Sequence, residues 1–260
     1  MKVVILCGGE GTRIRDVSEQ LPKPMIPIGG LPILWHIMKY YSHFGHADFV
    51  LCLGYKASVI KEFFLDYEPL TRDFTLSLGG KREVGYHTEH GETDWRVTLA
   101  DTGLKSMTGA RVRRVRKYVD AEEHFMLTYG DGVGDIDLVA LERFHRKHGK
   151  ILTVTGVRPP GRFGELAADE RGLVVEFNEK PQATAGLISG GYFVCSRRLF
   201  DYLDDGEGLV FEAEPIRRLV ADGELMVYPH QGFWQPMDTN RDYQLLNSLY
   251  ESGTAPWRVW

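Results

Sequence analysis

The run Val3-Val4-Ile5-Leu6-Cys7, followed at once by Gly8-Gly9-Glu10-Gly11-Thr12-Arg13, constrains the fold more than any other stretch. An unbroken β-branched and aliphatic run suits a strand buried on both faces, as in a parallel sheet. A glycine-rich turn at its end leaves backbone amides free to meet phosphate oxygens. The turn departs from two common nucleotide loops. The dinucleotide fingerprint needs a glycine at position 14, where Ile14 stands, and the Gly-Lys-Ser/Thr of the P-loop is absent. The residues support a triphosphate cradle in which Arg13 offers a planar guanidinium to phosphate oxygens.

Lys23 follows between Pro22 and Pro24. Prolines on both sides predict a stiff, extended backbone outside any helix. A lysine held beside a phosphate cradle is suited to neutralising charge that develops during phosphoryl transfer.

Apolar periodicity predicts alternating elements: helices at 32–41, 57–67, 108–119, 138–148, 214–222 and 240–251, and strands at 3–6, 49–53, 125–129, 152–157 and 225–228. Short alternating stretches at 74–78 and 96–99, with a polar run at 87–94 between them, predict a further strand and an inserted loop. Strand–helix alternation implies parallel pairing through right-handed crossovers. The expected fold is α/β, a Rossmann-like, mostly parallel mixed sheet flanked by helices. After Pro159-Pro160 the pattern shifts to short strands, which predicts a small β-rich extension of the same body.

Composition narrows the class. At 43% hydrophobic residues, 260 residues suffice for one α/β core with a subdomain. A net charge of -5 argues against a grip on nucleic acid, which needs clustered Lys and Arg. No stretch approaches the roughly 18 apolar residues of a membrane span. Cys7, Cys52 and Cys195 match no zinc or redox spacing. The opening residues read as a strand and not as a leader, so a cytoplasmic protein is expected.

Several motifs in one order, Thr102-Gly103, Ser106-Met107-Thr108-Gly109, Tyr129-Gly130-Asp131-Gly132-Val133, Pro160-Gly161-Arg162-Phe163-Gly164, Glu179-Lys180-Pro181 and Gly232-Phe233-Trp234-Gln235-Pro236-Met237-Asp238-Thr239, join the opening pair. Together they resemble the sugar-phosphate nucleotidyltransferases, and among them the branch using CTP and glucose 1-phosphate. The resemblance implies one domain over 1–260, with a nucleotide core at about 1–157 and a sugar-binding part with the last helix at about 158–260. It implies transfer of a cytidylyl group to α-D-glucose 1-phosphate, with pyrophosphate released. It also implies Mg²⁺ held by Asp131 and Asp238, and a homo-oligomer. Two aspartates suffice for a hard cation that also takes phosphate and water oxygens.

By the same resemblance, Lys23, Arg13 and Asp131 are catalytic. Leu6, Cys7, Gly8, Gly9, Glu10, Gly11, Thr12, Arg13, Lys23, Ser106, Arg111 and Gly130 bind the nucleotide. Gly164, Glu179, Lys180, Ser189, Gly190 and Tyr192 bind the sugar phosphate. Ser189 stands where relatives of that branch carry Asn, which leaves another sugar 1-phosphate, or UTP or dTTP, as the alternative. A metal-dependent glycosyltransferase would need a second acid beside Asp131, which Tyr129-Gly130-Asp131-Gly132-Val133 lacks. A non-catalytic nucleotide sensor would dispense with Arg13, Lys23, Asp131 and Asp238, all of which are present.

Other residues read as structural. Asp135 and Asp137 are expected at the surface or as caps, and Asp238-Thr239 suits a helix cap. His145 and His148, beside Arg146 and Lys147, predict a solvated basic face, and Trp257 and Trp260 a cover over apolar surface.

Overall fold

The computed structural model describes residues 1–10, 20–80, 83–158, 165–168, 174–178 and 186–260, with 165–168 and 174–178 as backbone strands. One sheet contains β1 (Val3–Leu6), β2 (Asp48–Leu53), β3 (Arg96–Asp101), β4 (His124–Tyr129), β5 (Leu152–Val157), β6 (Ile188–Ser196) and β7 (Leu225–Pro229). Their order is β7-β5-β6-β4-β1-β2-β3. β6 is antiparallel to β4 and β5, while the other neighbouring pairs are parallel. The expected mostly parallel mixed sheet is therefore observed. Strands from both halves of the chain share it, because β6 and β7 enter beside β4 and β5.

The uninterrupted apolar run of β1 has a direct reason. Val3 and Ile5 pack into one core with α1 (Ile33–His43), while Val4 and Leu6 pack on the other face with Val112 and Val115. Alternate side chains of a strand point to opposite faces, so a strand sandwiched between helix layers is apolar throughout. In α1 the predicted face of Ile33, Ile37, Tyr40 and Tyr41 is buried. The strand at 152–157 and the helices at 138–148 and 240–251 form as predicted. Asp137 caps the former helix by accepting from the Ala140 amide, and Thr239 caps the latter in a reciprocal capping box with Asp242.

Four expectations are corrected. Lys23 is not in extended backbone: Lys23–Met25 is a single 3-10 turn, closed by the Met25 amide donating to the Pro22 carbonyl at 2.8 Å. Pro22 keeps the extended conformation, and Pro24 occupies a position where the missing N–H costs no helical bond. The helix predicted at 108–119 breaks at Val115 into Thr108–Arg114 and Arg116–Val119. His145 is not solvated; it is fully buried and hydrogen-bonded to Thr153 and His124. Trp257 is core rather than cover, fully buried and stacked on Phe233. Between α1 and β3, the strands Phe74–Ser77 and Glu83–Tyr86 pair only with each other among the described residues.

Buried histidines give the fold a pH signature. Burial pushes His36 and His46 down to about 4 and His145 to about 3. Each stays neutral in the folded chain but takes a proton near pH 6.5 once unfolded. Their contribution is therefore complete above about pH 6.5 and is lost as pH falls toward the folded values, by about 1.4 kcal/mol per pH unit for each histidine. Urea unfolding at pH 7.5, 5.5 and 4.5 is expected to show a steadily falling midpoint. An unchanged midpoint across that range would contradict this account.

Candidate active site

The sheet changes direction of growth at β1: the chain runs outward through β2 and β3, then returns to place β4 on the other side. Loops leave such a switch point in opposite directions and open a crevice at the carboxyl ends of the strands. A cleft of about 390 Å³ lies there, lined on one side by Leu6, Cys7, Gly8 and Gly9 and on the other by Tyr129, Gly130 and Asp131. Lys23, Pro24 and Asp238 close one end; Ser106, Met107, Thr108 and Arg111 close the other.

At the first end three distant residues meet. The Lys23 ammonium lies 2.6 Å from Asp131 Oδ2 and 2.5 Å from Asp238 Oδ1. Burial works against the charge on Lys23, but the two carboxylates outweigh it and hold its pKa above the ordinary lysine value. A group whose pKa is raised on folding keeps its charge below that value, so Lys23 is cationic across the neutral range. Each partner is positioned by its own backbone. Asp131 follows Gly130, whose amide donates to the Leu6 carbonyl and so ties β4 to β1. The Met237 amide donates to the Asp131 carbonyl at 2.8 Å, and the Asp238 amide is held by Asp242 of the capping box.

At the second end Arg111 lines the cleft, as expected of a residue of this site, and also bonds to the protein. It is buried, and its guanidinium donates to the carbonyls of Leu53, Gly103, Leu104 and Gly8 and to the Thr102 hydroxyl. These acceptors follow β1, β2 and β3, so one side chain fastens three strand ends together. Gly8 has to be glycine for this reason, since a Cβ there would lie 2.2 Å from Arg111 Nη1. Arg111 thus lines the cleft while both its terminal nitrogens bond to the protein itself. Cys7 also lines the cleft, but burial raises its thiol pKa well above the ordinary value, which removes it as a nucleophile.

The residues assigned to the sugar phosphate separate. Ser189 is exposed on β6, and Gly190 follows it with its carbonyl accepting from Trp234 Nε1 at 2.7 Å. Tyr192 is corrected: it is buried in the core, stacked on Tyr41, with its hydroxyl on the Gly132 carbonyl. β-strand alternation explains this, because Tyr192 faces the helix layer whose core contains Tyr41. Gly11, Thr12, Arg13, Gly164, Glu179 and Lys180 lie outside the described residues. Glu10 is exposed at the edge of the described loop.

Sequence reasoning missed the wall formed by Thr108 and Tyr129. Both line the cleft and both donate their hydroxyl hydrogens to Glu212. Thr108 and Tyr129 stand in two of the quoted motifs but were given no role of their own, and Glu212 lies in an irregular stretch without periodicity. Among the described residues no group of three or more His, Cys, Asp or Glu side chains is arranged to hold a metal.

The Nucleotidyl transferase family model matches residues 2–252. The chain belongs to the nucleotidyl transferase family. Glucose-1-phosphate cytidylyltransferase from Salmonella typhi is 48% identical over 260 residues, covering 100% of both chains. D-glycero-alpha-D-manno-heptose 1-phosphate guanylyltransferase from Campylobacter jejuni is 32% identical over 212 residues, 82% of this chain and 83% of that one. The crystal structure of HddC from Yersinia pseudotuberculosis shares this fold with a TM-score of 0.66 at 23% identity, covering 96% of this chain and 99% of that chain.

The Arg111 network yields a measurable consequence. Arg111→Met leaves several buried acceptors unpaired and is expected to destabilise the protein by about 3 kcal/mol, read from urea unfolding. Arg111→Lys is expected to recover only part of this, because an ammonium cannot span the same acceptors. Full stability in Arg111→Met would refute the fastening role.

Proposed function

We propose that the protein is a glucose-1-phosphate cytidylyltransferase: it joins CTP and α-D-glucose 1-phosphate into CDP-glucose and pyrophosphate. One observation carries the reading: Lys23, Asp131 and Asp238 converge at the end of a glycine-lined cleft, although 108 and 215 positions separate the lysine from its two partners. Full-length identity of 48% to the Salmonella typhi enzyme supports the choice of substrates.

In this reaction a phosphate oxygen of the sugar phosphate attacks the α-phosphorus in line. The new P–O bond forms as the bond to the β-phosphate oxygen breaks, and pyrophosphate leaves with that electron pair. The chain supplies position and charge rather than a covalent nucleophile. Lys23, cationic and held on a short turn, faces the phosphates and stabilises negative charge as it builds. The amides of Gly8 and Gly9, with Gly11, Thr12 and Arg13 beyond them, receive the triphosphate. Glu179 and Lys180 are assigned to the sugar and its phosphate, with Gly164, Ser189 and Gly190 giving close backbone approach.

We assign Mg²⁺ to Asp131 and Asp238. Their carboxylates converge on one point, now taken by the Lys23 ammonium, and both remain accessible from the cleft. Two carboxylates suit a hard cation that draws its other ligands from phosphate oxygens and water. When bound, Mg²⁺ would neutralise phosphate charge and orient the triphosphate.

The test is pyrophosphate release from four nucleoside triphosphates crossed with a panel of sugar 1-phosphates. CTP with glucose 1-phosphate is expected to be the best pair; preference for another pair assigns a different member of the family. Lys23→Met and Asp131→Asn are each expected to lower kcat by at least about 100-fold, with the unfolding transition retained. Wild-type turnover in either variant would remove that residue from the mechanism.

We also propose a homo-oligomer in the cytoplasm. Exposed Leu65, Leu70, Phe74, Leu78 and Val84 gather on the 57–86 segment, and the three free thiols are all buried. Exposed large apolar side chains concentrated on one segment favour burial against a second copy. Sedimentation velocity is expected to give a multiple of the 29.5 kDa chain mass, and a monomer at micromolar concentration would refute it.

A further inference from the structure

One wall of the cleft is built by an exchange of bonds between 106–110 and 207–212. The Met107 amide donates to the Glu207 carbonyl at 2.9 Å and the Ala110 amide to the Leu209 carbonyl at 3.1 Å. Leu209 packs so closely on Gly109 that a Cβ there would lie 2.8 Å from Leu209 Cγ. Phe211 is fully buried, edge-on to Phe193, and its amide donates to Thr108 Oγ1 at 2.9 Å. Glu212 is therefore delivered to a fixed place although its own side chain is exposed.

From that place its two carboxylate oxygens serve two different elements. Oε2 accepts the Thr108 hydroxyl at 2.6 Å, and Oε1 accepts the Tyr129 hydroxyl. Tyr129 is held from its other side by Gly191, at φ +77°, where a Cβ would lie 2.5 Å from the ring. Thr108 and Tyr129 both line the cleft that also holds Lys23, Asp131 and Asp238.

An ionised carboxylate can only accept hydrogen bonds. A hydroxyl that gives its single hydrogen to a carboxylate has only lone pairs left for any other partner. The Tyr129 hydroxyl gives its hydrogen to Glu212, and the Thr108 hydroxyl does the same. Cytosine presents an exocyclic amine, a donor, where uracil and thymine present the O4 carbonyl, an acceptor.

We infer that the base of the nucleotide lies against this wall and that Glu212 determines its selectivity: by taking the hydrogens of Thr108 and Tyr129 it leaves the wall acceptor-only, which fits the amine of cytosine and rejects the O4 carbonyl of uracil and thymine. The inference rests on the reading of the chain as a CTP-using enzyme. Glu212 acts through Thr108 and Tyr129 and is a positioning residue. In Glu212→Gln the amide carries a donor as well as an acceptor, so one hydroxyl turns its hydrogen toward the base, and the wall no longer distinguishes the two edges.

The decisive measurement is the ratio of kcat/KM for CTP to that for UTP, with glucose 1-phosphate saturating, in wild type, Glu212→Gln and Tyr129→Phe. The wild type is expected to favour CTP, and Glu212→Gln is expected to lower the ratio by about tenfold or more, carried mainly by KM. Tyr129→Phe is expected to lower it less, since Thr108 remains. Equilibrium titration with CTP and UTP in the absence of the sugar phosphate reads the same preference without turnover. An equal loss with both nucleotides, leaving the ratio unchanged, assigns Glu212 a purely structural role and overturns the inference. A wild type that prefers UTP overturns it as well. A wild type that releases pyrophosphate from no pair of substrates overturns the reading of the reaction, and the inference falls with it.

Discussion

The contact between one ammonium and two carboxylates, Lys23 with Asp131 and Asp238, is the interaction to which the rest of the structure is fitted. Two carboxylates held this close repel unless a cation lies between them, and removing one member of such a cluster leaves an uncompensated charge. Each of the three is fixed by a different device. Lys23 is carried on a 3-10 turn bounded by prolines, Asp131 on the end of a central strand, and Asp238 on the chain entering a capped helix. The cluster is preorganised because the segments carrying Asp131 and Asp238 are also tied to each other, the Met237 amide donating to the Asp131 carbonyl.

The same logic governs the opposite end of the cleft, where hydrogen bonds replace ion pairing. Arg111 gathers the carbonyls that follow three neighbouring strands, and Glu212 gathers hydroxyls from a helix start and a strand end. Both are charged groups whose contacts lie with the protein itself. A guanidinium or carboxylate that bonds several partners at once orients them together, and that is what a recognition wall requires. Small residues make these approaches possible, with Gly8 admitting Arg111 and Gly191 admitting Tyr129.

Much of this was legible in order along the chain. The buried strand at Val3–Leu6, the capped helix at Leu138–His148 and the mixed sheet follow from local periodicity and caps, which are properties of neighbours in sequence. Local rules misjudged Lys23, whose flanking prolines suit the entry to a tight turn as well as an extended chain. They also misjudged His145 and Trp257, because polar neighbours in sequence do not reveal which face of an element is covered. Tyr192 was assigned to the sugar site from its place in a motif, yet the period of two along β6 turns it into the core.

By itself the sequence determined the family, the α/β class and the identity of the residues that bear charge: Arg13, Lys23, Asp131 and Asp238. Those follow from composition, motif order and short-range pattern. Only the tertiary structure decided that Lys23 binds both aspartates at once, that Arg111 spends its donors on strand ends, and that Glu212 orients Thr108 and Tyr129. The physical reason is distance along the chain. A hydrogen bond is decided within about 3 Å, whereas its partners here are brought together by sheet order and crossover connections that no local window of sequence contains.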